Sequence, residues 1–256
     1  MVLSPERFYD EWADELDLIF PDWWEDAEQT SRGLGALLEE SGVLPRTRVL
    51  DCACGIGTQA IPLALPGFDL VATDLSGASI ARARREAAAR ALEINFAVAD
   101  LRRVQQVVGS GFDAAVCWGN VLPHLMNDAD LDAALNSVRS RLRPGGVFLT
   151  SVRDYKKLAE RPTPGTQSYF ADDAHGRRIF GQGWELSPDR SSLVIHVFAL
   201  RQAGDGAWAT TVRSTTYRAL TRSQLDESFG RTGFVDVAWK PPIPGGNQLV
   251  IVARAH

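Results

Sequence analysis

From Thr47 onward, apolar runs of strand length alternate with stretches whose apolar residues recur at helical spacing. Residues 48–52 (RVLDC) and 68–73 (FDLVAT) are rich in β-formers and bounded by turn residues. Residues 78–91, built from alanine, arginine and glutamate, predict a helix. Residues 95–99, 112–118 and 146–152 add three strands, with a helix predicted over 128–142 before the last of them. Strands separated by helices in this way predict a parallel sheet with helices on both faces, an α/β fold. The Arg143-Pro144-Gly145-Gly146 quartet reads as the end of that helix and the turn into the following strand.

The pattern changes after residue 154. Residues 179–217 hold three strand-like runs with hairpin breaks at Ser187-Pro188-Asp189 and Gly204-Asp205-Gly206, which predicts an inserted three-stranded antiparallel subsheet. Thr221 is placed to cap a helix (TRSQLDESFGRTG) that stops at Gly233, and residues 234–239 and 248–253 then return as a hairpin that completes the main sheet. The first forty residues are acidic and aromatic (FYDEW, FPDWW) and predict short helices lying over the rest. The expected organisation is a helical cap (1–46), a cofactor-binding core (47–154), an antiparallel cap sheet (155–220) and a helix and hairpin that finish the core sheet (221–256).

Composition narrows the functional classes. With 256 residues, 45% hydrophobic and 23% charged, the chain is of ordinary globular character, sized for one α/β core with an insertion. The 27 basic and 32 acidic side chains leave a net charge of −5, so no global positive field recruits nucleic acid, and a nucleic-acid partner is not expected. No apolar run is long enough for a membrane span, and residues 1–8 do not read as a signal peptide, so no membrane partner is expected. Three cysteines, Cys52, Cys54 and Cys117, suit a reducing cytoplasm and lack the spacing of a metal site.

The candidate chemistry lies where strands end. Asp51-Cys52-Ala53-Cys54-Gly55-Ile56-Gly57 follows a strand directly and opens a helical segment, and Gly55 and Gly57 allow close backbone approach to a ligand. Asp74 and Asp100 close the next two strands, so three acids face one crevice at the switch point of the sheet. A nicotinamide dinucleotide is a possible occupant, but Ala53 and Ala60 replace two glycines of its fingerprint and Asp51 would repel a pyrophosphate. An acid there suits a cofactor that carries an ammonium group.

The ordered segments VLDCACGIG, VATDLS, VADL, FDAAVCWGNVLPHL and LRPGGVFL resemble the class I S-adenosylmethionine-dependent methyltransferases. That resemblance implies a Rossmann-like, seven-stranded, mostly parallel sheet whose last strand is antiparallel. It also implies S-adenosyl-L-methionine as cofactor, with Asp51 and Ala53 against its methionine part, Asp74 and Leu75 at the ribose, and Asp100 with Leu101 at the adenine. The continuation CWGNVLPHL, then VRDYKKL, with Ser31-Arg32 upstream, is similar to the glycine N-methyltransferase and glycine/sarcosine N-methyltransferase group. Within that group Arg153 would bind the substrate carboxylate, assisted by Asn120. Arg32 and Tyr9 would hold the carboxylate end of the cofactor, and Trp118 and His124 would line its pocket. The chain departs from the group at Val121, Pro123 and Asp154, which keeps an aminosugar or a phenol open as the acceptor. It also lacks the long N-terminal arm of the animal enzyme, so that enzyme's oligomeric arrangement does not transfer.

The expected reaction is direct in-line methyl transfer to a small amine, in which alignment and exclusion of water carry most of the acceleration. Arg153 offers a bidentate fork for a carboxylate, or else pairs with Asp154 like any strand-end arginine. His124 serves either as general base or as a wall of the pocket, and Tyr217 is a further substrate candidate. Trp12, Trp23 and Trp24 read equally as a lid or as packing, and the four arginines within 81–90 as a solvated helix face. His175, His196 and His256 have no partner motif. A non-catalytic cofactor-binding subunit remains the reading from another class.

Overall fold

The computed structural model describes residues 2–160, 168–173, 176–244 and 246–256. The chain begins with β1 (Val2–Leu3), α1 (Pro5–Trp12), a 3-10 segment (Ala13–Ile19) and α2 (Trp23–Glu40). Alternating strands and helices follow: β2 (Arg48–Asp51), α3 (Ala60–Ala64), β3 (Asp69–Asp74), α4 (Gly77–Ala88), β4 (Asn95–Val98), β5 (Phe112–Cys117), α5 (Asp128–Arg139) and β6 (Leu142–Val152). After α6 (Tyr155–Ala159) come four consecutive strands, β7 (Tyr169–Asp173), β8 (Gly176–Leu186), β9 (Ser192–Gln202) and β10 (Trp208–Arg218). α7 (Arg222–Arg231), β11 (Phe234–Lys240) and β12 (Leu249–Ala255) end the chain.

The main sheet has seven strands in the order β11-β12-β6-β5-β2-β3-β4. Strands β2 to β6 pair in parallel, and β12 lies antiparallel between β6 and β11. From β2 the chain steps outward through β3 to β4 and then returns to β5 on the other side. The carboxyl ends of β2 and β5 therefore flank the switch point, where loops diverge and leave a crevice. Both faces are covered. Leu34, Leu37 and Leu38 of α2 share an apolar cluster with Val49 and Val116, while Phe229 of α7 packs against Phe148 and Phe234 on the other side.

The inserted sheet is larger than the sequence pattern predicts, with five strands in the order β1-β10-β9-β8-β7. The three long runs are present, but Val2–Leu3 joins β10 in parallel and Tyr169–Asp173 joins β8 antiparallel. A two-residue strand is too short to show alternation, and YFADD is half polar. The Arg143–Gly146 quartet also differs from expectation. Helix α5 already stops at Arg139, and the quartet lies inside β6, where pairing jumps from Phe112–Leu142 to Ala114–Val147. It is a bulge, with Gly145 at φ 74° supplying the left-handed residue.

The N-terminal segment holds one long helix rather than short ones alone, and its acids meet the arginines of α4. Arg82 pairs with Asp17 at 2.7 Å and Arg85 with Asp14 at 2.9 Å. Asp10 of α1 accepts from the Ser76 hydroxyl at 2.6 Å and from the Ala78 N–H at 3.1 Å, capping the start of α4 from outside. Arg90 lies 3.9 Å over the Trp24 ring. Part of the arginine-rich face is thus a docking surface for the arm, through Arg82 and Arg90, while Arg84 and Arg85 stay exposed as a solvated face would have them. No helix among the described residues is long and apolar enough to cross a membrane.

Candidate active site

Asp51 ends β2 and is 0% exposed, with its Oδ1 3.4 Å from the Ala53 N–H. Its Oδ2 is buried with no hydrogen-bond partner among the described residues. Burial is the main cause that pushes its pKa up, and Asp74 adds to it; backbone N–H groups of Ala53 and Ala60 oppose, leaving the value at about 7. A buried carboxylate with an unsatisfied oxygen is a place suited to a cation, since those N–H groups offset its desolvation only in part.

Asp74, at the end of β3, is held by two backbone donors: the Gly55 N–H reaches Oδ2 at 2.8 Å and the Ser76 N–H reaches Oδ1 at 2.9 Å. Its pKa is raised chiefly by burial, against those two N–H groups, with Asp10 acting upward. The contact from Gly55 ties the glycine loop to the end of β3, and lone pairs of the carboxylate remain for further donors. Leu75 beside it is half-buried. Gly57 has φ 92°, and a Cβ there would stand 2.5 Å from Ile61 Cδ1, so both the conformation and the space demand glycine. Gly55 has φ 55°, and Leu16 of the arm lies 3.8 Å from its Cβ position, covering the loop.

Asp100 differs from the other two acids. It caps the 3-10 segment Leu101–Gln106 and is gripped by Arg102, whose Nη2 lies 2.6 Å from Oδ2. Burial pushes its pKa up, but the hydrogen bonds from Arg102 outweigh that and hold it below the ordinary value. Leu101 is 9% exposed and belongs to the main core cluster.

Across the crevice, the loop after β5 runs through Gly119 at φ 92° and Asn120 at φ 67°. A left-handed asparagine buried to 1% exposure is strained backbone, held by what its side chain does. Its Oδ1 accepts from the Arg153 N–H at 2.9 Å, and its Nδ2 donates to the Tyr155 hydroxyl at 2.8 Å. The amide is therefore engaged within the protein, where it positions Arg153.

Arg153 follows β6, and its guanidinium lies 4.9 Å from the centroid of the Trp184 ring on β8. Its Nε is buried without a hydrogen-bond partner, and no carboxylate among the described residues lies within ion-pair distance of it. The alternative of pairing with Asp154 is not what the structure has, because Asp154 caps α6 through the Lys157 N–H at 3.1 Å.

His124, Tyr9 and Tyr217 form one polar aromatic group. The Tyr9 hydroxyl lies 3.1 Å from His124 Nε2 and 3.2 Å from the Tyr217 hydroxyl, and the His124 and Tyr217 rings are 4.2 Å apart. Burial above all, with the Arg153 charge acting in the same direction, lowers the His124 pKa to about 3 against a backbone contact from Thr216. An imidazole so lowered is neutral at neutral pH, which favours the wall over the general base. Burial first, then Tyr217, raises the Tyr9 pKa; Asp74 acts upward on it and Arg153 downward. Tyr9 thus lies within electrostatic reach of both sides of the crevice.

Other expected residues pack within the protein or lie at its surface. Arg32 projects from the outer side of α2, 69% exposed, 3.9 Å from Glu28, because the buried stripe of that helix runs through Ala27, Ser31, Leu34 and Leu38. Trp118 packs into the apolar cluster with Leu34, Leu37 and Ile243. Trp12, 1% exposed, packs edge-on against Phe180 at 6.1 Å, and half-buried Trp23 donates to Thr58 beside Gly57 at 2.9 Å. His196 bonds to Ser214 at 2.8 Å on the inserted sheet, and His175 lies outside the described residues. Trp184 and Tyr155 were not singled out by sequence reasoning. Only the inward phase of Trp184 along an alternating strand, and the place of Tyr155 within VRDYKKL, could have marked them.

Residues 49–146 match the methyltransferase domain family. Over 165 residues the chain is 29% identical to a glycine/sarcosine N-methyltransferase of Halorhodospira halochloris, covering 64% of this chain and 59% of that protein. It is 32% identical over 155 residues to the glycine/sarcosine N-methyltransferase of Parasynechococcus marenigrum, covering 60% and 54%. The chain thus spans a little over half the length of these curated relatives. Among solved structures, the amino pentose methyltransferase CalS10 from Micromonospora echinaspora, with S-adenosylmethionine bound, superposes with TM-score 0.74 over 92% of each chain at 19% identity. Residues 49–146 are thus similar to a methyltransferase domain, and the chain has the fold of the class I S-adenosylmethionine-dependent enzymes, decorated by an antiparallel sheet.

Proposed function

We propose that this methyltransferase domain transfers a methyl group from S-adenosylmethionine to the nitrogen of a small amine that carries a carboxylate, of the glycine or sarcosine kind. One observation carries the reading: a buried acid lacking a cation, Asp51, and a half-buried guanidinium whose buried Nε has no partner, that of Arg153, stand at the same ends of parallel strands of one sheet.

The cofactor fits the residues on the β2–β3 side. The Asp51 Oδ2 would accept from its ammonium group, the Ala53–Gly57 loop would let its backbone approach, and Asp74 would take the ribose hydroxyls beside Leu75. Asp100 is largely engaged by Arg102, so Leu101 and the remaining carboxylate lone pairs would face the base. Tyr9 and His124 would close the space between cofactor and acceptor. Arg32, on the outer side of α2, takes no part in this arrangement. When bound, S-adenosylmethionine supplies an electrophilic methyl on a sulfonium sulfur.

Arg153 would hold the acceptor carboxylate in a bidentate fork and so set the nitrogen at a fixed distance from the methyl, with Asn120 fixing the arginine backbone. With the His124 pKa lowered to about 3 and the Tyr9 phenol raised, neither of these side chains takes a proton at neutral pH. The amine must attack already neutral, and partial desolvation beside a guanidinium lowers an ammonium pKa and favours that form. Tyr9, Tyr217 and His124 exclude water.

The test is methyl transfer to a panel of amines followed by mass spectrometry, with cofactor affinity measured by calorimetry. Arg153→Ala should raise KM for glycine or sarcosine on the order of a hundredfold while cofactor affinity stays within about twofold. Turnover of an amino sugar or a phenol without turnover of glycine or sarcosine would overturn the acceptor reading. Failure of S-adenosylmethionine to bind would overturn the activity.

A further inference from the structure

We infer that Trp184, held by Gln182, is a positioning residue that sets the plane of the Arg153 guanidinium and so gives the site its selectivity for a carboxylate. The inference rests on the acceptor reading above and deepens it.

An arginine side chain rotates about four bonds, and a fork that recognises a carboxylate in one orientation must lose that freedom. The usual device is an ion pair, and Arg153 has none among the described residues. Its backbone is fixed by Asn120 at 2.9 Å, which leaves the head of the side chain to be set by something else. Among the described residues, the ring that lies over that head is Trp184, at 4.9 Å from guanidinium carbon to ring centroid. A ring under one face of a planar cation leaves its edge available, and the edge carries the N–H groups that a carboxylate needs.

The indole is fixed in turn. Its Nε1–H donates to Gln182 Oε1 at 3.2 Å, and Gln182 stands two residues earlier on the same face of β8. Trp184 pairs in register with Ile195, 3% exposed, and packs against the main core cluster. The inserted sheet therefore reaches Arg153 through a side chain anchored on both its polar and its apolar sides. That gives the insertion a chemical task beyond covering the crevice.

The deciding measurement is the ratio of kcat/KM for glycine to that for glycinamide, the same amine without the negative charge, with acetate as a competitive inhibitor that probes the fork alone. Trp184→Ala should lower that ratio about thirtyfold and raise the acetate inhibition constant by a similar factor, while Trp184→Phe, which restores a ring face, should stay within about threefold. Gln182→Leu, which frees the indole, should lower the ratio about threefold. Binding of S-adenosylhomocysteine checks folding. If wild-type protein discriminates strongly and Arg153→Ala abolishes this, but Trp184→Ala and Gln182→Leu leave the ratio intact, the inference fails and the acceptor reading stands. If alanine and phenylalanine at position 184 are equally damaging, bulk and not the ring face matters, and the inference also fails. If wild-type protein does not distinguish glycine from glycinamide, the acceptor reading falls and this inference falls with it.

Discussion

Asp51 is buried and Arg153 half-buried, each keeps one buried polar atom without a partner, and they carry opposite charges, yet they do not neutralise each other. Each ends or follows a strand of the same sheet, with β5 and its Gly119-Asn120 loop between them in strand order. The acid answers its isolation by taking up a proton, since burial lifts its pKa to about 7. A guanidinium has no such escape, because it does not deprotonate in a protein; it is accommodated instead by the Trp184 ring. One end of the crevice therefore adapts to pH and the other does not. A site that kept two unlike charges apart needs two ligands, or one ligand with two charged ends, to become fully satisfied.

The largest effect should come from deleting the acid. Asp51→Asn should weaken S-adenosylmethionine binding more than a hundredfold by calorimetry, because the ammonium loses its only buried counter-charge. The same change should raise the melting temperature of the ligand-free protein at pH 8 by roughly 3–6 °C, since a strained carboxylate is gone. A loss of binding accompanied by a loss of stability would mean that Asp51 is an ordinary structural residue.

A smaller effect follows from the proton. With the folded pKa near 7 and the unfolded value near 3.8, this group's contribution to stability falls as pH rises from about 4 through 7. Binding a cation requires the ionised form, so cofactor affinity should rise about tenfold between pH 6 and pH 8, with proton release that depends on buffer in calorimetry. Asp51→Asn should erase that slope, whereas Arg153→Ala should leave it. A slope that survives in Asp51→Asn would place the titrating group elsewhere.

The smallest effect concerns α1, which touches both ends. Asp10→Ala removes the two hydrogen bonds that fasten α1 to the start of α4, a change of about 1 kcal/mol seen as a drop of about 3 °C in melting temperature. Cofactor and acceptor parameters should shift together and modestly. A shift confined to one ligand would show that the helix serves one end only.

These contrasts also explain what the chain makes legible. Parallel strands buried on both faces write continuous apolar runs, so β2, β3, β5 and β6 are visible at once, and the acids that end them mark the crevice. β1 and β7 are not visible, one being two residues long and the other half polar. The arginines of α4 look solvated because their partners, Asp14 and Asp17, lie 71 and 65 residues away. Arg102 lies two residues from Asp100 in sequence, yet nothing in spacing reveals that it would occupy the carboxylate. Arg153 is legible as a candidate, but its lack of a partner is a fact about its surroundings, as is the Trp184 ring beneath it.

Tyr9 and Asp10 are neighbours in sequence, and one helical step divides their duties. The first joins the hydroxyl chain beside the acceptor wall, and the second fastens the helix above the acid of β3. A single turn of backbone thereby joins the aromatic wall to the support of the β3 end. Whatever displaces these eight residues would disturb both sides of the crevice at once.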